Sequence, residues 1–413
     1  MAKSSDDLAS RAIFFHRKNR GKLEVRSKVD CGTKEGLSLA YTPGVADVCR
    51  EIVRDSSSAY DLTLKWNAVA VVSDGTRVLG LGNIGPLAAL PVMEGKAALF
   101  KSYAGVDAFP LCLACRTVDE IVATVKNISP VFGGINLEDI ESPKCFEVER
   151  RLKSELDIPV FHDDQHGTAV VVLAGMLNAL KVVGKNKASA RVVVAGAGAA
   201  GYAITKLLAL DGFTDVCVCD SKGIIHDEGD GKLPPYKLEL AKLTNRAGKR
   251  GTLADALCGA DVFIGVSSPD IIGEKEIKSM AKNPIVFALS NPIPEISPEK
   301  AEKAGAAIIG TARADLPNQI NNVLGFPGIF RGALMVRSRQ INEEMKLAAA
   351  HALAGVVGEK ELSQGTVVPL PFDKRVVPAV SIAVAEAAMA SGVARLKKSR
   401  NELEAELKSL RLS

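Results

Sequence analysis

Tryptophan occurs once and tyrosine five times in 413 residues, beside 13 phenylalanines. So few flat side chains give little material for a surface that stacks successive nucleic-acid bases. A surplus of one charge is also missing: 52 lysines and arginines face 48 acidic residues, a net charge of +4. A dedicated nucleic-acid binder carries a larger basic excess. Long apolar runs are absent too. The most apolar stretches are residues 167–180 and 376–390; the first is too short to span a bilayer, and the second contains Pro378 and Glu386. Residues 1–7 are polar, and no apolar segment of signal-peptide type follows. Eight cysteines in 413 residues are too sparse for a disulfide scaffold. The expectation is a protein with reduced thiols, cytoplasmic or in an organellar matrix, with no nucleic-acid and no membrane partner.

What remains is an ordinary folding chain. Hydrophobic residues make up 47% and charged residues 24%, enough to bury a core without staples. The length predicts two or three domains. Residues 8–17 look helical and residues 37–45 run into the turn Tyr41-Thr42-Pro43-Gly44. Residues 66–73 are an apolar β-run, and Asp74-Gly75 followed by residues 77–81 predicts a hairpin. Residues 118–128 have helical spacing. From about residue 166 the pattern changes to a long buried helix over 168–183. Strands at 190–195, 215–219, 261–266, 285–289 and 307–309 follow, with helices at 200–210 and 253–258 between them. Such alternation predicts βαβ units and a parallel sheet. Residues 378–412 read as helical, with Leu396, Leu403, Leu407 and Leu410 on one face. The fold class is α/β, with the change of pattern near residue 166.

Gly196-Ala197-Gly198-Ala199-Ala200-Gly201 is G-x-G-x-x-G, directly after an apolar strand and opening an apolar helix. Asp220 lies 19 residues past Gly201, at the end of the next strand. This is the context in which the glycines let a pyrophosphate approach a helix N-terminus. Asp220 would bond the adenosine ribose and favour NAD, while Ser221 and Lys222 could hold a 2′-phosphate, so NAD and NADP both remain open. A second match, residues 80–85, lacks a visible βαβ context and reads as a decoy.

Two acidic doublets stand in unusual surroundings, Glu138-Asp139 after Gly133-Gly134-Ile135-Asn136 and Asp163-Asp164 between His162 and His166. Oxygen-only donors suit Mg²⁺ or Mn²⁺ better than zinc. The plain alternative makes each a turn or a cap, with Asp164 capping the helix from 168. His162 and His166 are spaced i, i+4 without the zinc-site H-E-x-x-H pattern. Lys96 enters an apolar run. It is either a snorkelling helix residue or a partly buried lysine with a depressed pKa that serves as a base. Cys112-Leu113-Ala114-Cys115 reads as a period-2 strand rather than a metal or redox motif.

Six segments, taken in order, resemble the malic enzyme family, most closely its short-subunit bacterial branch. They are residues 39–46 (Leu-Ala-Tyr-Thr-Pro-Gly-Val-Ala), 73–82, 132–140, 161–169, 288–292 (Ala-Leu-Ser-Asn-Pro) and 317–323. The resemblance covers residues 10–395, and it implies a smaller α/β N-terminal domain over 1–165 followed by a Rossmann-type dinucleotide-binding domain with C-terminal helices over 166–413, with the active site between them. It implies NAD(P)-dependent oxidative decarboxylation of L-malate to pyruvate and CO₂, decarboxylation of oxaloacetate, a Mg²⁺ or Mn²⁺ cofactor, and a homodimer or higher homo-oligomer. It implies Lys96 as base with Asp163 supporting it and Tyr41 as the acid that protonates the enol. It further implies Glu138, Asp139 and Asp164 as metal ligands, Arg77 as carboxylate clamp, and Asn291 and Asn322 as contacts to substrate and nicotinamide, with Asn321 a neighbour. The thiol-rich Cys112/Cys115 segment departs from the family pattern and raises oxidative regulation. The rival reading is a 2-hydroxy acid dehydrogenase that does not decarboxylate; simple hydride transfer gives it no use for the acidic doublets.

Overall fold

The computed structural model describes residues 2–227, 232–313 and 315–410. The apolar run near residue 66 becomes β1 (Ala68–Ser73), buried along its whole length. It is an inner strand of a four-stranded sheet with β2 (Asp107–Cys112), β3 (Gly134–Leu137) and β4 (Val160–His162), in the order β2-β1-β3-β4. The predicted hairpin is absent. Asp74 is buried, accepts from the Thr76 N–H and hydroxyl, and pairs with Lys144. The chain then passes through a 3₁₀ turn, Leu79–Leu81, into the helix Gly85–Ala104 and returns to pair β2 parallel to β1. An apolar strand without alternation suits a parallel position covered on both faces better than a hairpin edge. The second glycine motif therefore lies in a strand-to-helix crossover, contrary to the sequence reading.

The second sheet contains β5 (Arg191–Ala195), β6 (Asp215–Asp220), β7 (Gly223–Ile224), β8 (Val262–Gly265), β9 (Ile285–Ala288) and β10 (Ile308–Thr311). Its order is β10-β9-β8-β5-β6-β7, with β7 antiparallel to β6 and the other pairs parallel. Strand order reverses at β5, which opens a crevice at the carboxyl ends of the strands, where such sheets bind ligands.

The helix predicted from residue 168 starts at Asp163 and runs to Val183. Its N-cap is His162 and no side chain caps it, so Asp164 is not the cap. By length and composition this helix could cross a membrane, yet 67% of its most apolar window is buried inside the protein. It packs against the helices Ala199–Leu210 and Glu343–Val356. One hydrophobic core runs from Val69 and Phe100 through Val170 and Leu173 to Val192 and Val380. The two sheets thus share their packing through this helix.

The C-terminal helix is two helices, Val376–Ala390 and Arg400–Ser409. The break follows Ser391, where Gly392 takes a left-handed φ of 76°, a conformation glycine adopts at no steric cost. Leu403 and Leu407 are buried as the apolar face predicts, whereas Leu396 lies in the interruption. Residues 411–413 are outside the described residues. Fully buried Arg331, on the helix Phe326–Met335, donates from Nε to the Ala104 carbonyl at 3.1 Å and also bonds Asn67. It ties that helix to the first sheet.

Gly332 faces the helix Val376–Ala390 so closely that a Cβ would overlap the Ser381 carbonyl and lie 2.9 Å from Val384 Cβ. Overpacking of this kind costs about 1–3 kcal/mol. Gly332→Ala is expected to lower the thermal midpoint; an unchanged midpoint would show that these helices have slack.

Candidate active site

β3 and β4 are neighbours, and both end at the same edge of the first sheet. The residues immediately after β3 are Glu138 and Asp139; those immediately after β4 are Asp163 and Asp164. The sheet register therefore brings together two doublets far apart in the chain. The helix Gly85–Ala104 supplies Lys96 from beside them. Its ammonium pairs with Glu138 Oε1 at 2.9 Å and with Asp163, and lies 4.0 Å from the centre of the Phe326 ring. Asn136 donates to Glu138 Oε2 at 2.9 Å, and the Asp139 N–H donates to Asp164 Oδ2 at 2.8 Å. The Arg77 N–H donates to the Asp139 carbonyl at 3.0 Å. Lys96, Glu138, Asp139 and Asp163 are all buried.

Residues of the second half reach the same place. A Cβ on Gly167 would overlap the Asp163 carboxylate and come 3.2 Å from Asn322 Cβ. A Cβ on Gly80 would lie 2.9 Å from the Asn291 carbonyl and 2.6 Å from Pro292 Cδ. The supposed decoy motif thus has a structural use, a close contact between the first sheet's loop and the Asn291 loop. Asn321 Oδ1 accepts from the Val323 N–H at 3.0 Å and is occupied as a cap.

Four carboxylates gather near one lysine, and burial and surplus charge act together on Glu138, Asp139 and Asp163. Burial raises Asp139, Asp164 and Glu138 raise it further, and it reaches about 9. Asp163 is raised to about 8, first by burial and then, against Lys96, by Glu138. Glu138 is also raised, mainly by burial and despite Lys96. Burial pulls Lys96 down, but Asp163 and Glu138 outweigh it and hold the ammonium above the ordinary lysine range. The depressed lysine, one of the two sequence readings, is therefore not what these carboxylates produce.

Asp139 Oδ2 and Asp163 Oδ1 are buried without a donor. Unpaired acceptors, hard oxygen donors and surplus negative charge fit a divalent cation. Among the described residues no three acidic, histidine or cysteine side chains already converge as a coordination shell. Glu138 is turned toward Lys96 and Asn136, and Asp164 toward the Asp139 backbone.

Other expected residues fall elsewhere. Tyr41 follows the helix Lys34–Ala40 and is 67% exposed. Among the described residues no hydrogen bond or ring contact engages its phenol, in contrast to the buried Lys96. His166 bonds the buried Glu149 at 2.8 Å and, on its other nitrogen, Lys346 at 3.2 Å. Burial, only partly opposed by Glu149, lowers His166 to about 4. His162 is fully buried; its backbone N–H also reaches Glu149, at 3.3 Å, but its ring nitrogens have no hydrogen-bond partner. Cys112 ends β2, and Cys115 lies beyond the strand. Burial and then Asp139 push the Cys112 thiol up, which disfavours the reactive thiolate.

The nucleotide turn has the geometry its glycines require. Gly196 has φ of 120°, and a Cβ there would lie 2.6 Å from the Val266 carbonyl. A Cβ on Gly201 would overlap the Gly196 carbonyl. Gly198, the N-cap of the helix Ala199–Leu210, faces open space. A phosphate can therefore approach the backbone at Ala197–Ala200. Asp220 ends β6, where its Oδ2 pairs with Lys237 at 2.6 Å and its Oδ1 accepts from the Lys222 N–H at 2.8 Å. Lys237 was not visible as a partner in the sequence, because nothing local distinguishes it from other helix lysines.

The chain matches the family model described as malic enzyme, N-terminal domain, over residues 20–153, and that described as malic enzyme, NAD binding domain, over 165–391. The chain belongs to the malic enzyme family. It is 57% identical over 403 residues to a bifunctional malic/malolactic enzyme of Bacillus subtilis, covering 98% of each chain. It is 58% identical to an NAD-dependent malic enzyme of Geobacillus stearothermophilus, over 91% of this chain and 78% of that one. A crystal structure of malic enzyme from Pyrococcus horikoshii superposes with a TM-score of 0.93 at 51% identity, over 98% of this chain and 95% of that one. As a malic enzyme family member, the chain is a nicotinamide-dependent oxidoreductase of the α/β Rossmann type.

Carboxylates raised in the folded state bind protons more tightly there than when unfolded. Their contribution is complete below the unfolded carboxylate range and is lost as pH rises toward about 8 to 9. The EDTA-treated protein is expected to melt at progressively lower temperature from pH 5 to pH 9. Mn²⁺ should restore the midpoint, by more at the higher pH. A midpoint indifferent to pH and to Mn²⁺ would contradict the surplus charge.

Proposed function

We propose that the protein oxidatively decarboxylates L-malate to pyruvate and CO₂ while reducing NAD⁺ or NADP⁺. The observation that carries this reading is the lysine–carboxylate cluster at the edge where Asn322 arrives from the dinucleotide half, with the Asn291 loop packed on the neighbouring Gly80 turn. A dehydrogenase that only moves hydride has no use for four such carboxylates. We read the chain as two domains, 1–165 and 166–413, with the site between them. The eight free cysteines support a reducing compartment, cytoplasmic or matrix.

Hydride leaves C2 of malate with its electron pair for the nicotinamide, and the hydroxyl proton goes to Lys96. Lys96 can accept it only when the surrounding negative charge is compensated, because Asp163 and Glu138 otherwise hold its proton. Asp163, buried against the ammonium, orients it and keeps it in reach. Glu138, Asp139 and Asp164 would hold a Mg²⁺ or Mn²⁺, which when bound supplies Lewis-acid stabilisation of negative charge on the C2 oxygen. Arg77 would clamp a malate carboxylate, a task suited to a guanidinium fork. The C3–carboxylate bond then breaks as CO₂ leaves, and its electrons form the enolate. Tyr41 returns a proton to C3. Asn291 and Asn322 orient substrate and nicotinamide, and the turn Gly196–Gly201 holds the pyrophosphate. If reduced cofactor stays bound and passes hydride back to pyruvate, lactate results; the name of the Bacillus subtilis relative supports testing for it.

Tyr41 needs a cover that one copy does not provide. Phe14, Leu39 and Val53 are 67%, 70% and 87% exposed on the same N-terminal segment. The helices Lys34–Ala40 and Val45–Arg54 bury no residue. A homo-oligomer in which a second copy covers this segment accounts for both facts and closes the site around the phenol.

Absorbance at 340 nm with L-malate, Mn²⁺ and either NAD⁺ or NADP⁺, followed by assay of pyruvate and lactate, tests the reaction. Reduced cofactor without pyruvate or lactate would overturn decarboxylation. Lys96→Ala should lower kcat by on the order of 10²- to 10⁴-fold while the Mn²⁺ shift in melting persists; unchanged turnover would remove Lys96 from the chemistry. Lys96→Ala and Tyr41→Phe, each inactive alone, should regain activity when refolded together if a site combines residues of two copies. No regain would place both residues in one copy. Removing Lys237 by Lys237→Ala frees Asp220 and should raise the preference for NAD⁺ over NADP⁺ by about tenfold; an unchanged ratio of kcat/KM values would exclude that pair from cofactor choice.

A further inference from the structure

Glu295 takes no part in the chemistry above, yet it is fully buried. Its carboxylate is held by backbone. Oε1 accepts from the Ser267 N–H at 2.9 Å, and Oε2 accepts from the Ser290 N–H at 3.0 Å. Ser267 lies in the loop after β8, and Ser290 in the loop after β9. One side chain therefore ties two neighbouring loops at the carboxyl edge of the second sheet. Room for it comes from Gly265, the last residue of β8, where a Cβ would sit 2.5 Å from Glu295 Cδ.

Both loops lead to the nucleotide crevice. A Cβ on Gly196 would lie 3.2 Å from Ser267 Cβ, so the Ser267 loop forms the wall against which the glycine turn packs. Ser267 Oγ is buried and has no partner. The Ser290 loop carries Asn291, whose carbonyl meets Gly80. Burying a carboxylate without a cation is costly, and it persists only where its hydrogen bonds repay the loss of water. Here those bonds go to N–H groups that would otherwise be left without an acceptor.

We infer that Glu295 is a positioning residue for the dinucleotide: it locks the Ser267 and Ser290 loops together so that the cofactor meets a preformed crevice. This rests on the assignment of the nucleotide site to the Gly196–Gly201 turn. Glutamine in its place keeps the shape but offers one acceptor oxygen to two N–H donors, and its amide N–H₂ opposes one of them. The loops then lose their common anchor, and the cost falls on cofactor binding.

Glu295→Gln is expected to raise the dissociation constant of NADH or NADPH, measured by calorimetry, and the KM of the oxidised cofactor, by about tenfold. Because the Ser290 loop also carries Asn291, kcat and the KM for malate are expected to change as well, but by less than the dinucleotide constants. Gly265→Ala reaches the same carboxylate from the other side, since its methyl must displace it. It should give the same split, and the double variant should add little to the larger single effect. Unchanged dinucleotide affinity in both variants would overturn the inference. So would a fall in kcat and melting midpoint with unchanged dinucleotide KM, which is the pattern of a purely structural residue. Failure of the unaltered protein to bind either reduced cofactor would instead overturn the nucleotide site itself.

Discussion

The charge imbalance around Lys96 is the constraint from which the rest of the structure follows. One ammonium, against Glu138 and Asp163 with Asp139 and Asp164 adjoining, cannot neutralise four acids. Burial, and then that deficit, raise Asp139 and Asp163 and favour their protonated forms, while Asp163 and Glu138 hold the lysine above its ordinary range against the pull of burial. A divalent cation meets the same deficit from outside. Lys96 is then released from the carboxylates that hold its proton, so the group that fits the acids also prepares the base.

The fold serves this arrangement at both ends of one helix. The helix Asp163–Val183 opens with two of the acids and then runs as the shared core element beneath the second sheet. Behind its first turn, Glu149 accepts from the His162 N–H at 3.3 Å and from Gln165 at 3.2 Å, and bonds His166. Burial alone would raise Glu149, yet it is held well below the usual range; with His166 itself lowered to about 4 and neutral, the charge that does this is Lys153, 2.7 Å away, helped by the His166 hydrogen bond. Its charge therefore stays in place as an anchor for the segment bearing Asp163 and Asp164. On the nucleotide side, backbone contacts at Gly196, Gly201 and Gly80 set the approach of the loops. Close packing there, rather than flexibility, is what the glycines provide.

Much of this was legible in the chain. β5, β6, β8 and β9 are short apolar runs between helical spacings, and their sequence bounds differ from the observed ones by a residue or so. The Gly196–Gly201 turn and the acidic doublets stand out because few other structures need those residue types in that order. What escaped the sequence depends on partners remote in the chain. Lys96 and Asp163 are 67 residues apart, and Arg331 bonds a carbonyl 227 residues away; no local spacing records either. Asp74-Gly75 looks like a hairpin turn because the local pattern is the same, and only the pairing of β1 with β2 and β3 decides otherwise. The apolar run makes burial of Lys96 foreseeable and the resemblance pairs it with Asp163, but the second carboxylate, Glu138, and the raised lysine that results follow only from the register of β3 and β4.

The central claim is tested most directly by counting protons when Mn²⁺ binds. Calorimetric titration of the metal-free protein near pH 7, in two buffers of different ionisation enthalpy, gives that number. The account predicts that about one or more protons leave for each ion bound, because acids held protonated at that pH must ionise to accept it. Binding without proton release would mean that the carboxylates around Lys96 are already ionised and balanced, and the account would be wrong.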